Sequence, residues 1–213
     1  MEEPLKPRIL VFGSGGHAKV VVDAIECQNK FQIEALVDPF SDLKTLAGYP
    51  VLREYAGLAP GNFVVAIGDN TIRKKLYSLL VQDGWTPQAV IHPSAIIARD
   101  SKIGAGTVIF AGAIVNPASV VGGNTIINTA ATIDHDGNIG SHCHIAPGCH
   151  LAGNVLVADG AFLGIGVFVI PKVKIGSWSM AGAGSVLIRD VDAHTTVVGV
   201  PAKLVKKRAA VPQ

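Results

Sequence analysis

Between Ile91 and about Asp192 the hydrophobic positions recur every sixth residue. Residues 91, 97, 103 and each sixth residue thereafter to 187 are Ile, Leu or Val, with Ala181 the one departure. Four places beyond each of them stands a residue no larger than Val, among them Ala113, Thr125, Cys143, Cys149, Ala161 and Ser179. Hexapeptide periodicity sustained over this length predicts a parallel β-helix. Each hexad reads as one short strand plus a corner: the large aliphatic residue fills the interior, and the small one fits the tighter space near the corner. Three hexads close a triangular coil of roughly 18 residues, and coils stack at about 4.8 Å, the spacing of neighbouring strands. Residues one coil apart therefore share a column. Gly104, Gly122, Gly140, Gly164, Gly176 and Gly182 follow core residues directly. They are read as turn positions needing unusual backbone angles or no side chain.

The first 85 residues carry a different pattern. Arg8–Phe12 reads as a buried strand, Gly13-Ser14-Gly15-Gly16 as a tight turn, and His17–Asn29 as a helix through Val20, Val21, Ala24 and Ile25. Ile33–Val37 predicts a second strand ending at Asp38; Phe63–Ile67 predicts a third, followed by Gly68-Asp69-Asn70 and a helix over Thr71–Gln82. Alternating strand and helix imply a small parallel sheet. Gly13-x-Gly15-x-x-Ala18 matches a relaxed dinucleotide fingerprint, with Asp38 at about the distance of a ribose contact. Only one mononucleotide half is present, so the reading is a site for a single nucleotide at the carboxyl ends of the strands; a bare βα turn is the alternative. The division expected is 1–85, a Rossmann-like half domain, 86–195, the β-helix, and 196–213, a basic tail.

Charge and cysteines narrow the classes. A net charge of +2 on 213 residues predicts no strong nucleic-acid footprint. No apolar run reaches membrane-spanning length and no signal peptide is evident, so cytoplasmic residence is expected. Of the three cysteines, Cys143 and Cys149 occupy small interior positions of the repeat and read as packing residues rather than a disulfide.

The candidate chemistry lies in Ile133-Asp134-His135-Asp136 and in His142, Cys143, His144, Cys149 and His150. His135 and Asp136 follow the core Ile133 by two and three places and should project outward, where a histidine has no packing role. An imidazole there can act as a general base, with the adjacent carboxylate orienting it and raising its basicity. One coil on from His135 stands Gly153, which predicts a gap beneath the ring and an exposed N–H able to polarise a thioester carbonyl. Two neighbouring columns, Asn128, Ala146, Gly164, Gly182 and Thr129, Pro147, Ile165, Ala183, are expected to form a groove for a pantetheine arm. His142 and His150 read as solvated. His144 and His150 should fall on different faces of one coil, which leaves a zinc site only across subunits.

The segments FGSGGHAKVVVDAI, AIGDNTIRKKL, NTAATIDHD, HIAPGCHLAGNV, FLGIGVFVIP and VVGVPAKLVKK span nearly the whole chain. In them the sequence resembles the trimeric left-handed β-helix acyltransferases. It is most similar to the N-acetyltransferases of nucleotide-linked 4-amino sugars from the bacillosamine and GDP-perosamine routes; sialic acid O-acetyltransferases of the NeuD type share the pattern. The resemblance implies left-handedness, a homotrimer with active sites between subunits, and acetyl-CoA as co-substrate with no metal. It implies His135 as general base, with Asp136 orienting it; some relatives have Glu at that place. His144, the Gly153 N–H and Asn128 would meet the acetyl group, and Ile165 and Ala183 the pantetheine. Lys203, Lys206 and Lys207 would approach the CoA phosphates. Gly15, Gly16, His17, Asp38, Pro39, Gly68 and Asp69 would hold a UDP- or GDP-linked 4-amino-4,6-dideoxy sugar. The implied role is N-acetylation by direct attack in surface glycan or O-antigen biosynthesis. The alternatives are sugar O-acetylation and, in a different class, a zinc hydratase like the γ-class carbonic anhydrases.

Overall fold

The computed structural model describes residues 6–207. The N-terminal unit runs β1 (Arg8–Phe12), α1 (Gly16–Gln28), β2 (Gln32–Val37), β3 (Thr45–Leu46), β4 (Tyr49–Leu52), β5 (Asn62–Val65), α2 (Asn70–Gln82) and β6 (Thr86–Pro87). Its sheet has the order β3-β4-β2-β1-β5-β6, parallel except for the β3–β4 hairpin. Alternation in β1 divides two cores: Ile9 and Val11 pack with α1, whereas Leu10 and Phe12 pack with Phe63, Leu80 and Trp85 on the α2 side. With both faces covered, the strand is apolar throughout. The β3–β4 hairpin was not expected. It turns on Ala47 and Gly48, both at positive φ (50° and 86°), and lies in a stretch with little apolar alternation.

From Val90 the chain forms two-residue strands that stack into three walls. Wall one contains Val90–Ile91, Val108–Ile109, Ile126–Ile127, His144–Ile145, Phe162–Leu163 and Met180–Ala181. Wall two contains Ile96–Ile97, Ile114–Val115, Thr132–Ile133, His150–Leu151, Phe168–Val169 and Val186–Leu187. Wall three runs from Lys102–Ile103 to Lys174–Ile175. Every pairing is parallel and one coil apart, as in Ile127 opposite Ile145 and Ile133 opposite Leu151. The second residue of each strand points inward; Ile109, Ile127, Ile145 and Leu163 are fully buried, as are Cys143 and Cys149.

The corner glycines are explained by contact rather than by backbone angle. The left-handed position falls three places after the core residue, where Gly106, Gly112, Gly148 and Gly160 alternate with Ala118, Asn124, Ala130 and Asp136. The glycines directly after core residues lack positive φ. A Cβ there would strike the next coil: 2.4 Å from Gly123 N at Gly104 and 2.7 Å from Ala183 N at Gly164.

Wall one is the docking face. Its outward Val90, Val108 and Ile126 are buried against Ala18, Val21 and Val22 of α1, with Phe110 beside them. Walls two and three keep their outward residues accessible, including Ile96, Val120, Leu156 and Phe168. At the far end the chain departs from the expected tail. Thr195–Val198 continues wall one, and Lys203–Lys207 folds back on it as an antiparallel strand, with Thr195 opposite Lys207. Its three lysines are therefore on an exposed strand as far as Lys207; residues 208–213 lie outside the described residues.

Candidate active site

The histidine–carboxylate pair forms at the corner after the wall-two strand Thr132–Ile133. Asp136 takes the left-handed backbone position (φ 57°), which turns its carboxylate back toward the preceding residue. His135 Nδ1 lies 2.7 Å from Asp136 Oδ2, and both side chains are more than half exposed (57% and 53%). A carboxylate only accepts, so Nδ1 carries the proton and Nε2 is left with its lone pair. The His135 backbone N–H donates to Asp134 Oδ1 at 2.8 Å, and Asn116 Nδ2 donates to the same oxygen. The Asp136 hydrogen bond raises the basicity of His135 above the ordinary histidine value; desolvation opposes it, and the charges of Asp134 and Asp136 add to the rise.

Gly153 lies directly beneath this ring. A Cβ on it would stand 2.5 Å from His135 Nε2 and 2.6 Å from Cε1. The space expected under the imidazole is thus filled by the imidazole itself, and Gly153 is buried. Its N–H makes no backbone hydrogen bond among the described residues.

A second cluster forms on wall one, against the N-terminal unit. His144 Nδ1 approaches Gly68 O at 3.1 Å, and Asn128 Nδ2 approaches His144 Nε2 at 3.1 Å. Asn128 Oδ1 accepts from the Thr129 N–H, which fixes the amide orientation. The carbonyl of Gly68 forces the proton onto Nδ1, so in this arrangement Nε2 accepts and has no hydrogen to offer an acetyl oxygen. His144 is buried with Phe162 at 5.1 Å and His17 at 6.1 Å between ring centres. Burial, then the Arg73 charge, lowers the pKa of His144 to about 4. His17 is likewise held to about 4 by the same causes, and its buried Nε2 has no hydrogen-bond partner among the described residues. His142, expected to be solvated, instead packs on Tyr77 at 5.8 Å and bonds to Asn124 Nδ2; its pKa also falls to about 4 by burial and the charge of Arg73. His150 is exposed on wall two, beside Thr132 and Phe168.

Reading the sequence missed the residue that organises this seam. Arg73 on α2 is 1% exposed. Its guanidinium donates to the carbonyls of Asn124, Ile67, Gly68, His142 and Cys143 and to Asn70 Oδ1, at 2.8–3.1 Å. Asn70 in turn donates to the carbonyls of Gly160 and Ala161. Burial lowers the Arg73 pKa to about 10, still far above neutrality, so it stays charged. The available signal was Asn70-x-x-Arg73, two polar residues on one helical face inside AIGDNTIRKKL.

The residues expected to hold a nucleotide sugar surround the carboxyl ends of β1, β2 and β5. Gly15 and Gly16 are open, with nothing within 4 Å of an added Cβ. Asp38 is committed locally: Oδ2 accepts from the Ser14 N–H and hydroxyl, and Oδ1 from the Phe40 N–H. It therefore shapes the turn, and any ribose contact would be additional. Pro39 precedes Phe40, whose ring is 95% exposed. Asp69 caps α2 by accepting from Thr71 and Ile72. An open cavity of about 390 Å³ lies between that helix start and wall one, lined by Gly68, Asp69, Thr71, His144, Phe162 and Met180. A second, of about 520 Å³, runs along wall two past Asn116, Asp134, His150 and Phe168.

Of the two expected groove columns, Ala146 and Gly164 are buried and do not form a surface. Thr129, Ile165 and Ala183 are exposed. Within one chain His135 belongs to the corner after wall two and His144 to wall one; no hydrogen bond or ring contact joins them.

The chain is similar over most of its length to solved sugar-acetyltransferase structures. The PglD N-terminal domain family matches residues 8–80. PerB from Caulobacter crescentus, solved with CoA and GDP-perosamine, is 37% identical with a TM-score of 0.88, covering 93% of this chain and 97% of that one. The acetyltransferase domain of PglB from Neisseria gonorrhoeae is 32% identical with a TM-score of 0.90, covering 94% and 100%; it is also known with acetyl coenzyme A. WeeI from Acinetobacter baumannii is 29% identical with a TM-score of 0.76, covering 92% and 99%. Among sequences, serine acetyltransferase 4 of Arabidopsis thaliana is 45% identical over 49 residues, 23% of this chain and only 14% of the plant protein.

Proposed function

This chain belongs to the hexapeptide-repeat sugar N-acetyltransferases, left-handed β-helix enzymes that use acetyl-CoA, and we propose that it acetylates the 4-amino group of a nucleotide-linked 4-amino-4,6-dideoxy sugar. The observation that carries the proposal is the exposed His135–Asp136 pair, 2.7 Å apart, with Nε2 free above Gly153. The CoA and GDP-perosamine complex of the Caulobacter relative supports the substrate class.

In this mechanism the sugar amine attacks the thioester carbonyl of acetyl-CoA directly. His135 Nε2 takes the proton that the amine loses, and Asp136 stabilises the imidazolium that forms. The C–N bond forms first, giving a tetrahedral oxyanion whose collapse breaks the C–S bond; CoA leaves as the thiolate and is reprotonated from the imidazolium or solvent. The Gly153 N–H, which makes no backbone hydrogen bond among the described residues, is the donor for the developing oxyanion. An acyl-enzyme is not invoked. Cys143 and Cys149 are buried, with thiol pKa values pushed up to about 12 and 11, chiefly by desolvation. The Gly68–Asp69 cavity and the open Gly15-Gly16 turn hold the nucleotide sugar, and the exposed Thr129, Ile165 and Ala183 column holds pantetheine.

The site is composite, in a homotrimer. His135 lies at the corner after wall two and does not line the Gly68–Asp69 cavity on wall one, so a second chain is needed to bring a sugar held in that cavity to the base. Wall two carries the apolar surface for that contact, with Ile96, Phe168, Ile170 and Ile188 exposed at 41–63%. The product would serve surface glycan or O-antigen assembly, in the cytoplasm. Among the described residues no helix is long and apolar enough to cross a membrane.

The test follows CoA thiol release from acetyl-CoA with UDP- and GDP-linked 4-amino-4,6-dideoxy sugars and with sialic acid. Turnover on a 4-amino sugar is expected. Turnover confined to sialic acid would reassign the enzyme to O-acetylation, and none on any acceptor would refute the proposal.

A further inference from the structure

On the outer side of α1, Asp23 and Cys27 are four residues apart and share one helical face. His92, immediately after the strand Val90–Ile91, meets them across the domain seam. One ligand atom from each, a carboxylate oxygen, the Cys27 Sγ and an imidazole nitrogen, lie within 4.8 Å of one another. We propose that these three side chains form a zinc site that clips α1 to the first coil of the β-helix.

The donor set itself argues for zinc. A thiolate and an imidazole select zinc over magnesium or calcium, which prefer oxygen donors throughout. Three protein ligands and a water complete a tetrahedral zinc. Bonds of about 2.0–2.3 Å in that geometry place ligand atoms roughly 3.3–3.8 Å apart. The trio therefore closes by small side-chain rotations.

His92 is held at Nδ1 by its own loop. The Ser94 backbone N–H donates to His92 Nδ1 at 3.1 Å and Ser94 Oγ lies 2.8 Å from it, so Nδ1 accepts in this arrangement and Nε2 carries the ring proton; the Gly112 N–H donates to Ser94 Oγ at 3.2 Å. Zinc on Nε2 would displace that proton to Nδ1, where Ser94 Oγ turns to accept it in place of the Ser94 N–H contact. Among the described residues no ion pair joins Asp23 to His92, so the carboxylate is not committed there. Zinc uptake releases the Cys27 thiol proton and ties two structural units through one ion. The site shares no residue with the acetyl-transfer machinery.

The experiment treats the purified full chain with a chelator and titrates it with cobalt(II), then zinc chloride. Wild type is expected to develop a cobalt–thiolate charge-transfer band that stoichiometric zinc abolishes, and zinc is expected to raise its unfolding temperature. Cys27→Ser should lose the band. Asp23→Asn, His92→Gln and Ser94→Ala should each bind zinc about tenfold or more weakly. Acetyl transfer should be unchanged in Cys27→Ser. Absence of a cobalt band in wild type, or equal zinc affinity in wild type, Cys27→Ser and His92→Gln, overturns the assignment.

Discussion

The imidazole of His135 rests on the backbone of Gly153, so closely that a methyl group on residue 153 would stand 2.5 Å from Nε2. The imidazole is positioned from below by a missing side chain and from the side by Asp136. Gly153→Ala should push the ring off its seat while the coil stays folded, because the displaced group is a partly exposed side chain. A fall in kcat of about 10–100-fold is expected, within the range of a general-base contribution, with the unfolding temperature nearly unchanged. Wild-type turnover in this variant would mean the ring's seat is immaterial.

His135→Ala should lower turnover by roughly 100-fold or more and leave acetyl-CoA binding intact by calorimetry. The pH profile gives a second reading. The base must be neutral, so kcat/KM rises with pH as His135 loses its proton, and Asp136 moves that rise to higher pH. In Asp136→Asn the acid limb should therefore shift to lower pH, with a smaller maximum. An unmoved limb would detach it from this pair.

Arg73 is the seam's largest polar investment. Arg73→Met would leave several buried carbonyls without donors, and a loss of about 3 kcal/mol or more is expected from unsatisfied buried acceptors. Arg73→Lys should rescue little, since an ammonium cannot reproduce the planar fork. Urea denaturation followed at Trp85, in the N-terminal unit, and at Trp178, in the solenoid, would check both.

Acid should open the seam. His17, His142 and His144 have folded pKa values near 4, below the ordinary 6.5. A depressed histidine favours the neutral, folded form, so its contribution is complete above about pH 6.5. It is lost as pH falls toward 4, where the unfolded chain binds more protons than the folded one. Unfolding temperature should drop over that window, and His142→Asn should flatten the drop. A profile level from pH 7 to 4 would contradict the burial of these rings.

Phe168→Glu places a charge in the exposed apolar column of wall two. Sedimentation should show monomers in place of the proposed trimer, and turnover should fall if a second chain supplies half of the site. A fully active monomer would refute the composite site.

The β-helix could be read residue by residue, because one interior position per hexad must be aliphatic and one small, and both demands are local. The outward His135–Asp136 pair followed from the same frame. The frame did not reveal that the ring would occupy the space over Gly153, since column alignment locates backbones and says nothing of rotamers. Asp38 and Asp69 remain open as ligand contacts; what spacing does not reveal is that both carboxylates also accept from backbone N–H groups. His142 looked solvated because nothing local announces that Tyr77, from another unit, will cover it.

The order of residues by itself determined the two-part architecture, the inward burial of Cys143 and Cys149, and the corner that carries the outward His135–Asp136 pair. These are periodic properties, written at fixed intervals along one dimension. Only the tertiary structure decided that wall one is the docking face, that His17 and His144 meet in a buried seam, and that Arg73 holds it. Its partners are almost all backbone carbonyls, which every residue has and no sequence pattern marks; only folding brings those of Asn124, His142 and Cys143 to a single guanidinium.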